Sequence, residues 1–380
     1  MLISSVNQLS KLIKELEGSK IIAVDTETNG LHAYQSQVCV IQISDGANTW
    51  LVDALSLHNP KDIAPLIDIF SDERIRKILH GASHDISSLK HDFGRAFENV
   101  FDTYIAAQYL SYAKTGLADL VKIHFGITLE KKLQKKNWAK RPLVQEDLNY
   151  LRHDVEFLIP LYEKVIQELK NADLLEEAEL ECKRLELTQP LGETFDPDGF
   201  WRLKGSKELN DCSLNFLKQL YQLRDEVARR WNRPPFKTIP DQFLIQIASA
   251  ESKSEIEQHP LFSKPFMEHL RSKFFIAFEE SRNASRPIRG KIKTLHSQRR
   301  TIQKGLRMEL EDALKNWRET ESKRRNVASV AILPNHLIDA ILNHNSSIAK
   351  KDDLLKIPFF GKKRVEKYGD TIMSILMETK

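Results

Sequence analysis

The chain has 380 residues, 41% hydrophobic and 29% charged, with a net charge of +4, and this suits a globular protein of two or three domains. No apolar stretch approaches the roughly 18–20 residues of a membrane span, and Met1–Ser5 lacks the basic start and apolar run of a secretory signal. Cys39, Cys182 and Cys212 are odd in number and far apart, which argues against a disulfide framework or a metal-spaced pair and points to a reducing cytoplasm.

In chain order, Leu9, Leu12, Ile13 and Leu16 recur at helical spacing and predict a helix over 5–17. The run Ile21–Val24 predicts a buried strand. Residues 37–44 and 49–52 predict two more, joined as a hairpin through the turn Asp45-Gly46. Helices are expected at 61–70, 85–93, 103–112, 116–125 and 145–170, with short strands at 78–80 and 99–101. Three antiparallel strands followed by strands alternating with helices describe a mixed sheet flanked by helices. Beyond about residue 173 the pattern turns helical. A Glu-rich linking helix over 176–187 precedes helical blocks at 210–280 and 326–380, the first broken at Asn232-Arg-Pro-Pro235. Between the blocks, residues 282–325 hold 14 Lys and Arg against 5 acids.

The charge is uneven. Residues 1–190 carry 22 Lys and Arg against 28 Asp and Glu, a net of −6; residues 191–380 carry 35 against 25, a net of +10. A basic half can neutralise phosphates of a polyanion, and an acidic half can bind cations. The same numbers also fit an ordinary helical region with a solvated Lys/Arg surface.

Three short segments carry chemistry. Asp25-Thr-Glu27 continues the run Ile21–Val24, and residues two apart on a strand share a face. Two carboxylates so placed repel unless a cation or proton lies between them, and a hard divalent metal takes such oxygen ligands. Taken alone, the pair is more often two solvated acids. His80-Gly-Ala-Ser-His84-Asp85 runs from a strand into a helix, where Asp85 also suits the helix dipole. Tyr150 and Asp154 are four apart on one helix face.

The combination is specific. Ile22-Ala-Val-Asp-Thr-Glu-Thr-Asn-Gly-Leu31, Ile78-Leu-His-Gly-Ala-Ser-His-Asp85 with Asn99-Val-Phe-Asp-Thr103, and Tyr150-Leu-Arg-His-Asp154 resemble the three motifs of the DEDD exonucleases, tyrosine subclass. Asn137-Trp-Ala-Lys-Arg-Pro-Leu143 resembles the segment preceding the third motif in the ribonuclease D family. The resemblance covers roughly residues 1–170. It implies a ribonuclease H-like fold and catalytic residues Asp25, Glu27, Asp85, Tyr150 and Asp154. It further implies two divalent ions, Mg²⁺ or Mn²⁺: Asp25, Glu27 and Asp154 would hold one, Asp25 would bridge to the second, and Asp85 would help hold that one. Tyr150 would aim the attacking water. Thr26, Asn29, Leu31, His84, Trp138 and Arg141 are expected substrate contacts. In particular, Trp138 among Lys131, Lys132, Lys135, Lys136, Lys140 and Arg141 suits a single strand with a stacked base. A solvated loop with a buried Trp is an equal alternative. His80 could contact phosphate, although a strand-end histidine satisfied by backbone is the commoner case. Asp102 reads as a helix N-cap.

Tyr221–Ala228 with Asn232–Ile239, and Leu354–Gly361 with Lys367-Tyr-Gly369, resemble parts of HRDC domains, which serve related proteins as nucleic-acid-binding modules. The expected organisation is an exonuclease domain over 1–172, a helical linker over 173–209, an HRDC-like domain over 210–290, a basic helical connector over 291–325 and a second HRDC-like domain over 326–380. The resemblance implies a cytoplasmic, monomeric 3′→5′ exoribonuclease. Its partner would be RNA with a single-stranded 3′ end, transfer RNA precursors being family-typical, and it would have no membrane association. A DNA exonuclease and a non-catalytic nucleic-acid-binding protein on the same fold are the alternatives.

Overall fold

The computed structural model describes all residues except 58, 95–96, 193–194, 283, 288–303 and 379–380. The chain forms two compact units. One comprises Met1–Thr28, Val38–Leu191 and Gln298–Lys380; the other comprises Asn29–Gln37 and Gly192–Ser297.

The first unit is built on a six-stranded mixed sheet of β1 (Leu2–Ile3), β2 (Ile21–Thr28), β3 (Val38–Ser44), β4 (Thr49–Asp53), β5 (Arg76–Leu79) and β6 (Val100–Asp102), in the order β1-β4-β3-β2-β5-β6. The hairpin β3–β4 and the pair β2–β3 are antiparallel; β1–β4, β2–β5 and β5–β6 are parallel. Helices α1 (Val6–Leu16), α2 (Pro60–Phe70), α3 (Ser83–Phe93), α4 (Thr103–Tyr109), α5 (Leu117–Phe125), α6 (Gln145–Glu156), α7 (Leu158–Asn171) and α8 (Leu175–Leu185) accompany it. The mixed sheet with flanking helices matches the expectation. Gly46 turns the β3–β4 hairpin with φ 91°, a conformation that favours glycine.

Three differences have physical causes. Strand β1 has two residues, too few to show alternation, and rests on its parallel pairing to β4. Strand β2 does not stop where its apolar run stops. Its ladder with β3 continues through the acids, Asp25 opposite Gln42 and Glu27 opposite Val40, and shifts register only at Glu27/Thr28. The helix expected over 145–170 breaks at Phe157. Pro160 has no amide hydrogen with which to continue the first helix's ladder.

The segment read as a linker begins as part of this core. Leu174, the N-cap of α8, and Ala178, Cys182 and Leu185 within it are buried in the cluster that contains Ile78, Phe101 and Leu161. The basic connector is also corrected. Its described part, α14 (Lys304–Arg325), contributes Leu310 and Leu314 to a bundle with α15 (Ser329–Ile332), α16 (Asn335–His344) and α17 (Lys362–Glu378). Arg299 and Arg300 lie outside the described residues. This bundle docks on α8 and the turn before it through charge. The Glu176 carboxylate accepts from the Lys362 and Lys363 amides at 2.7 and 3.2 Å. Lys363 and Lys367 pair with Asp173, and Lys367 Nζ meets buried Glu177 at 2.8 Å. The Arg364 guanidinium is buried on the carbonyls of Ile332 and Phe360, both at 3.1 Å.

In the second unit, α9 (Asp211–Arg230), α10 (Pro235–Thr238), α11 (Asp241–Ala248), α12 (Lys253–Gln258) and α13 (Arg271–Ser281) enclose Leu217, Leu220, Phe262, Met267 and Phe274. Residues 29–37 belong to this unit. Tyr34 donates its hydroxyl hydrogen to Asp225 at 2.7 Å, and its ring lies 5.6 Å from the Arg229 guanidinium.

Glu177→Ala should destabilise the protein by about 1–3 kcal/mol, because Lys367 loses its buried partner while keeping Asp173. A lower urea midpoint is the expected reading, and an unchanged midpoint would contradict this account of the docking.

Candidate active site

Strand β2 carries Asp25 and Glu27 on one face, and α6 brings Tyr150 and Asp154 on one helix face. These four side chains line a single cavity of about 380 Å³, with His80, Lys131 and Gln134 among its other walls. Asp85 is buried behind the lining, in the first turn of α3, and its Oδ1 accepts from the Thr26 hydroxyl at 2.5 Å.

The turn that delivers Asp85 is itself held. Buried Asp102 accepts from the Gly81 amide at 2.8 Å, the Ala82 amide at 2.9 Å and the Tyr104 amide at 2.8 Å. It is the N-cap of α4, as expected, and it also ties β6 to the motif at the end of β5. Gly81 has φ 75°, the left-handed conformation that makes a glycine natural there.

The electrostatics follow from crowding. Burial first, then the Asp85, Asp154 and Glu27 charges, push the Asp25 carboxyl well above the usual range. Burial, followed by Asp154 and Asp85, raises Glu27 to about 9. Burial is also the main cause that raises Asp85 and Asp154 to about 7. The Tyr150 phenol is pushed up by burial and by the three carboxylates Asp154, Glu27 and Asp25, so it stays protonated and can donate a hydrogen bond. Burial lowers His80 to about 4, leaving a neutral imidazole, and its Nδ1 lies 2.9 Å from Thr103 Oγ1.

Such a cluster calls for a cation. Asp154 Oδ2 is buried with no hydrogen-bond partner in the protein, an acceptor with lone pairs to give. Hard oxygen donors lining a cavity suit a divalent ion such as Mg²⁺. The donor set fits a metal by the chemistry of its oxygens, although among the described residues no three ligating side chains already meet as a coordination group.

The expected substrate contacts divide. Thr26 is engaged with Asp85, and Asn29 Oδ1 accepts from the Gln37 amide at 2.9 Å. Leu31 and His84 are exposed. Two expectations are corrected. Trp138 is 1% exposed, so its faces cannot stack a base; one is packed on Tyr150. The Arg141 guanidinium is consumed by Asp53, at 2.7 and 2.6 Å, and by the carbonyls of Trp138 and Cys39, at 2.6 and 3.1 Å. It braces the fold. The Asp53–Arg141 pair was missed in the sequence, where 88 residues separate its members. Gln42 was missed too. It is fully buried, lies opposite Asp25, and neither of its amide atoms has a partner. A lone glutamine inside Val38-Cys-Val-Ile-Gln-Ile was the available signal.

A mixed sheet that gathers four carboxylates and a tyrosine, followed by small helical bundles, defines a nuclease of the 3′–5′ exonuclease class with HRDC domains. The 3′-5′ exonuclease family model matches residues 2–170, and the HRDC domain model matches 213–274 and 307–376. The chain is 31% identical over 249 residues to ribonuclease D of Cronobacter turicensis, covering 65% of this chain and 66% of that protein. It is 30% identical over 253 residues to exosome complex component 10 of Rattus norvegicus, covering 65% of this chain and 28% of that one. The chain thus spans 28% of the length of that exosome relative, and 41% of exosome complex exonuclease RRP6 of Saccharomyces cerevisiae. The solved catalytic core of RRP6 from Trypanosoma brucei superposes with TM-score 0.67 at 26% identity, over 75% of this chain and 81% of that one. Escherichia coli RNase D, at 22% identity, shares the fold with TM-score 0.69 over 100% of this chain and 98% of that one. The chain belongs to the ribonuclease D-like 3′–5′ exonucleases.

Unfolded, these carboxyls titrate near pH 4; folded, Asp85 and Asp154 titrate at about 7 and Glu27 at about 9. Between those limits the folded chain holds more protons, so its stability falls as pH rises. A cation that binds the folded anions offsets the loss. The rise in Tm on adding Mg²⁺ should be small near about pH 5 and larger near about pH 8.5. A pH-independent rise would contradict the assignment.

Proposed function

We propose that the protein is a metal-dependent exoribonuclease that removes nucleoside 5′-monophosphates one at a time from the 3′ end of RNA. The carrying observation is the convergence of Asp25, Glu27, Asp154 and Tyr150 on one cavity, with Asp85 buried behind it. A cavity of about 380 Å³ is the size of a small-ligand site, which suits a terminal nucleotide and not a duplex. RNA is chosen because the relatives of known name are a ribonuclease and exosome components.

In this reading Asp25, Glu27, Asp85 and Asp154 hold two divalent ions, Mg²⁺ or Mn²⁺. When bound, the metals supply Lewis acidity and an activated water. The protein does the rest. Tyr150 keeps its proton and directs a hydrogen bond at the water, fixing its line of approach to the phosphorus. Neutral His80 and the Lys131 ammonium border the cavity, where a phosphate would sit. The departing 3′ oxygen takes a proton from solvent through the open side of the cavity. Transfer RNA precursors with short single-stranded tails are the proposed substrates, acted on by a monomer.

The test uses 5′-labelled single-stranded RNA with a 3′-hydroxyl, the same sequence as DNA, and an EDTA control. A ladder shortening from the RNA 3′ end, dependent on Mg²⁺ or Mn²⁺, is expected. Asp25→Ala should lower kcat by roughly 100- to 1,000-fold or more. Faster loss of DNA than of RNA would refute the choice of substrate, and EDTA-resistant cleavage would refute the metal chemistry.

A further inference from the structure

We propose that Trp138 is a positioning residue of the exonuclease reaction, holding Tyr150 by its ring face. This rests on the reading above of Tyr150. Two observations carry it. The Trp138 and Tyr150 rings stack with centroids 5.7 Å apart and planes 27° from parallel. Trp138 is buried with Val40, Leu51 and Leu151, so it fills the space between the β3–β4 hairpin and the helix that bears Tyr150 and Asp154.

The indole is itself immobilised. Arg141 Nη1 donates to the Trp138 carbonyl at 2.6 Å while its other nitrogens grip Asp53 at the end of β4. Lys136 lies 5.7 Å from the indole ring and pairs with Asp147 in the first turn of α6. One end of the segment is thus fixed to the sheet and the other to the helix. The helix delivers Tyr150, and Trp138 packs on its ring. A hydroxyl that must aim a water tolerates little error, since about 1 Å of misplacement can cost on the order of 100-fold in rate. The stack holds the ring from which that hydroxyl projects.

The test compares Trp138→Phe and Trp138→Leu, alone and combined with Tyr150→Phe, on single-stranded RNA in Mg²⁺. Trp138→Phe keeps an aromatic face, so kcat should stay within about threefold of wild type. Trp138→Leu loses that face, and kcat should fall roughly 10- to 100-fold with KM within about twofold. In the Tyr150→Phe background the Leu substitution should add less than about threefold, because the groups act as a unit. Near-UV circular dichroism gives a readout independent of activity: Tyr150→Phe should alter the indole bands, and Trp138→Phe should retain the wild-type unfolding midpoint closely enough to be assayed if the Leu variant unfolds. Equal losses with and without the Tyr150 hydroxyl would reduce Trp138 to a packing residue and overturn the inference. A raised KM at unchanged kcat would overturn it in favour of RNA contact. Wild-type protein that leaves RNA intact would overturn the exoribonuclease reading and this role with it, whereas the other two results arise in an active enzyme and strike Trp138 alone.

Discussion

Like charge in a confined, poorly solvated space is the constraint to which this structure is fitted. Asp25, Glu27 and Asp154 face one cavity with Asp85 behind them, and each raises the free energy of ionising the others. Side chains under mutual repulsion swing apart unless their backbones are held. Here each backbone is held differently. Asp25 and Glu27 sit in a strand that pairs with β5 up to Ala23 and with β3 from Ala23 onward. Asp85 sits where the α3 dipole favours an anion, on a turn tied to Asp102 by its Gly81 and Ala82 amides. Asp154 rides on α6, whose first turn is fixed by Asp147 accepting from the Val144 amide at 2.9 Å.

Charge is used in the opposite sense at the far helices. The C-terminal half has the basic excess expected of a polyanion binder. Part of it is turned inward. Lys363, Lys367 and Arg364 spend their donors on Asp173, Glu177 and backbone carbonyls of the same unit. Formal charge therefore overstates how many phosphates this half can neutralise, and the salt dependence of its binding to a polyanion should be shallower than composition alone suggests.

Much of the fold was legible because its signals are local. Apolar runs marked β2 and β3, Asp45-Gly46 marked the hairpin, and the acids at fixed spacing marked the cavity walls. What could not be read depends on partners distant in the chain. Trp138 among lysines looks the same in sequence whether it stacks on a base or on Tyr150; only its burial under β3 and β4 decides. Arg141 beside it looks like a phosphate ligand until Asp53 is brought against it. The Lys304–Arg325 helix reads as a basic connector because Leu310 and Leu314 are sparse among charges, and their role appears only when α16 and α17 close over them.

The place of α8 has a bearing on how the enzyme can be divided. The exonuclease family match ends at residue 170, yet Leu174, Ala178, Cys182 and Leu185 lie in the same core as Phe101 and Leu161. A fragment cut at that boundary would expose the apolar seat of α8 on β6 and α4, a greasy face in place of a finished surface. Such a fragment would be prone to self-association. Recombinant pieces that end after Leu191 keep the seat covered, so the folded unit here is longer than residues 2–170 over which the 3′-5′ exonuclease model matches.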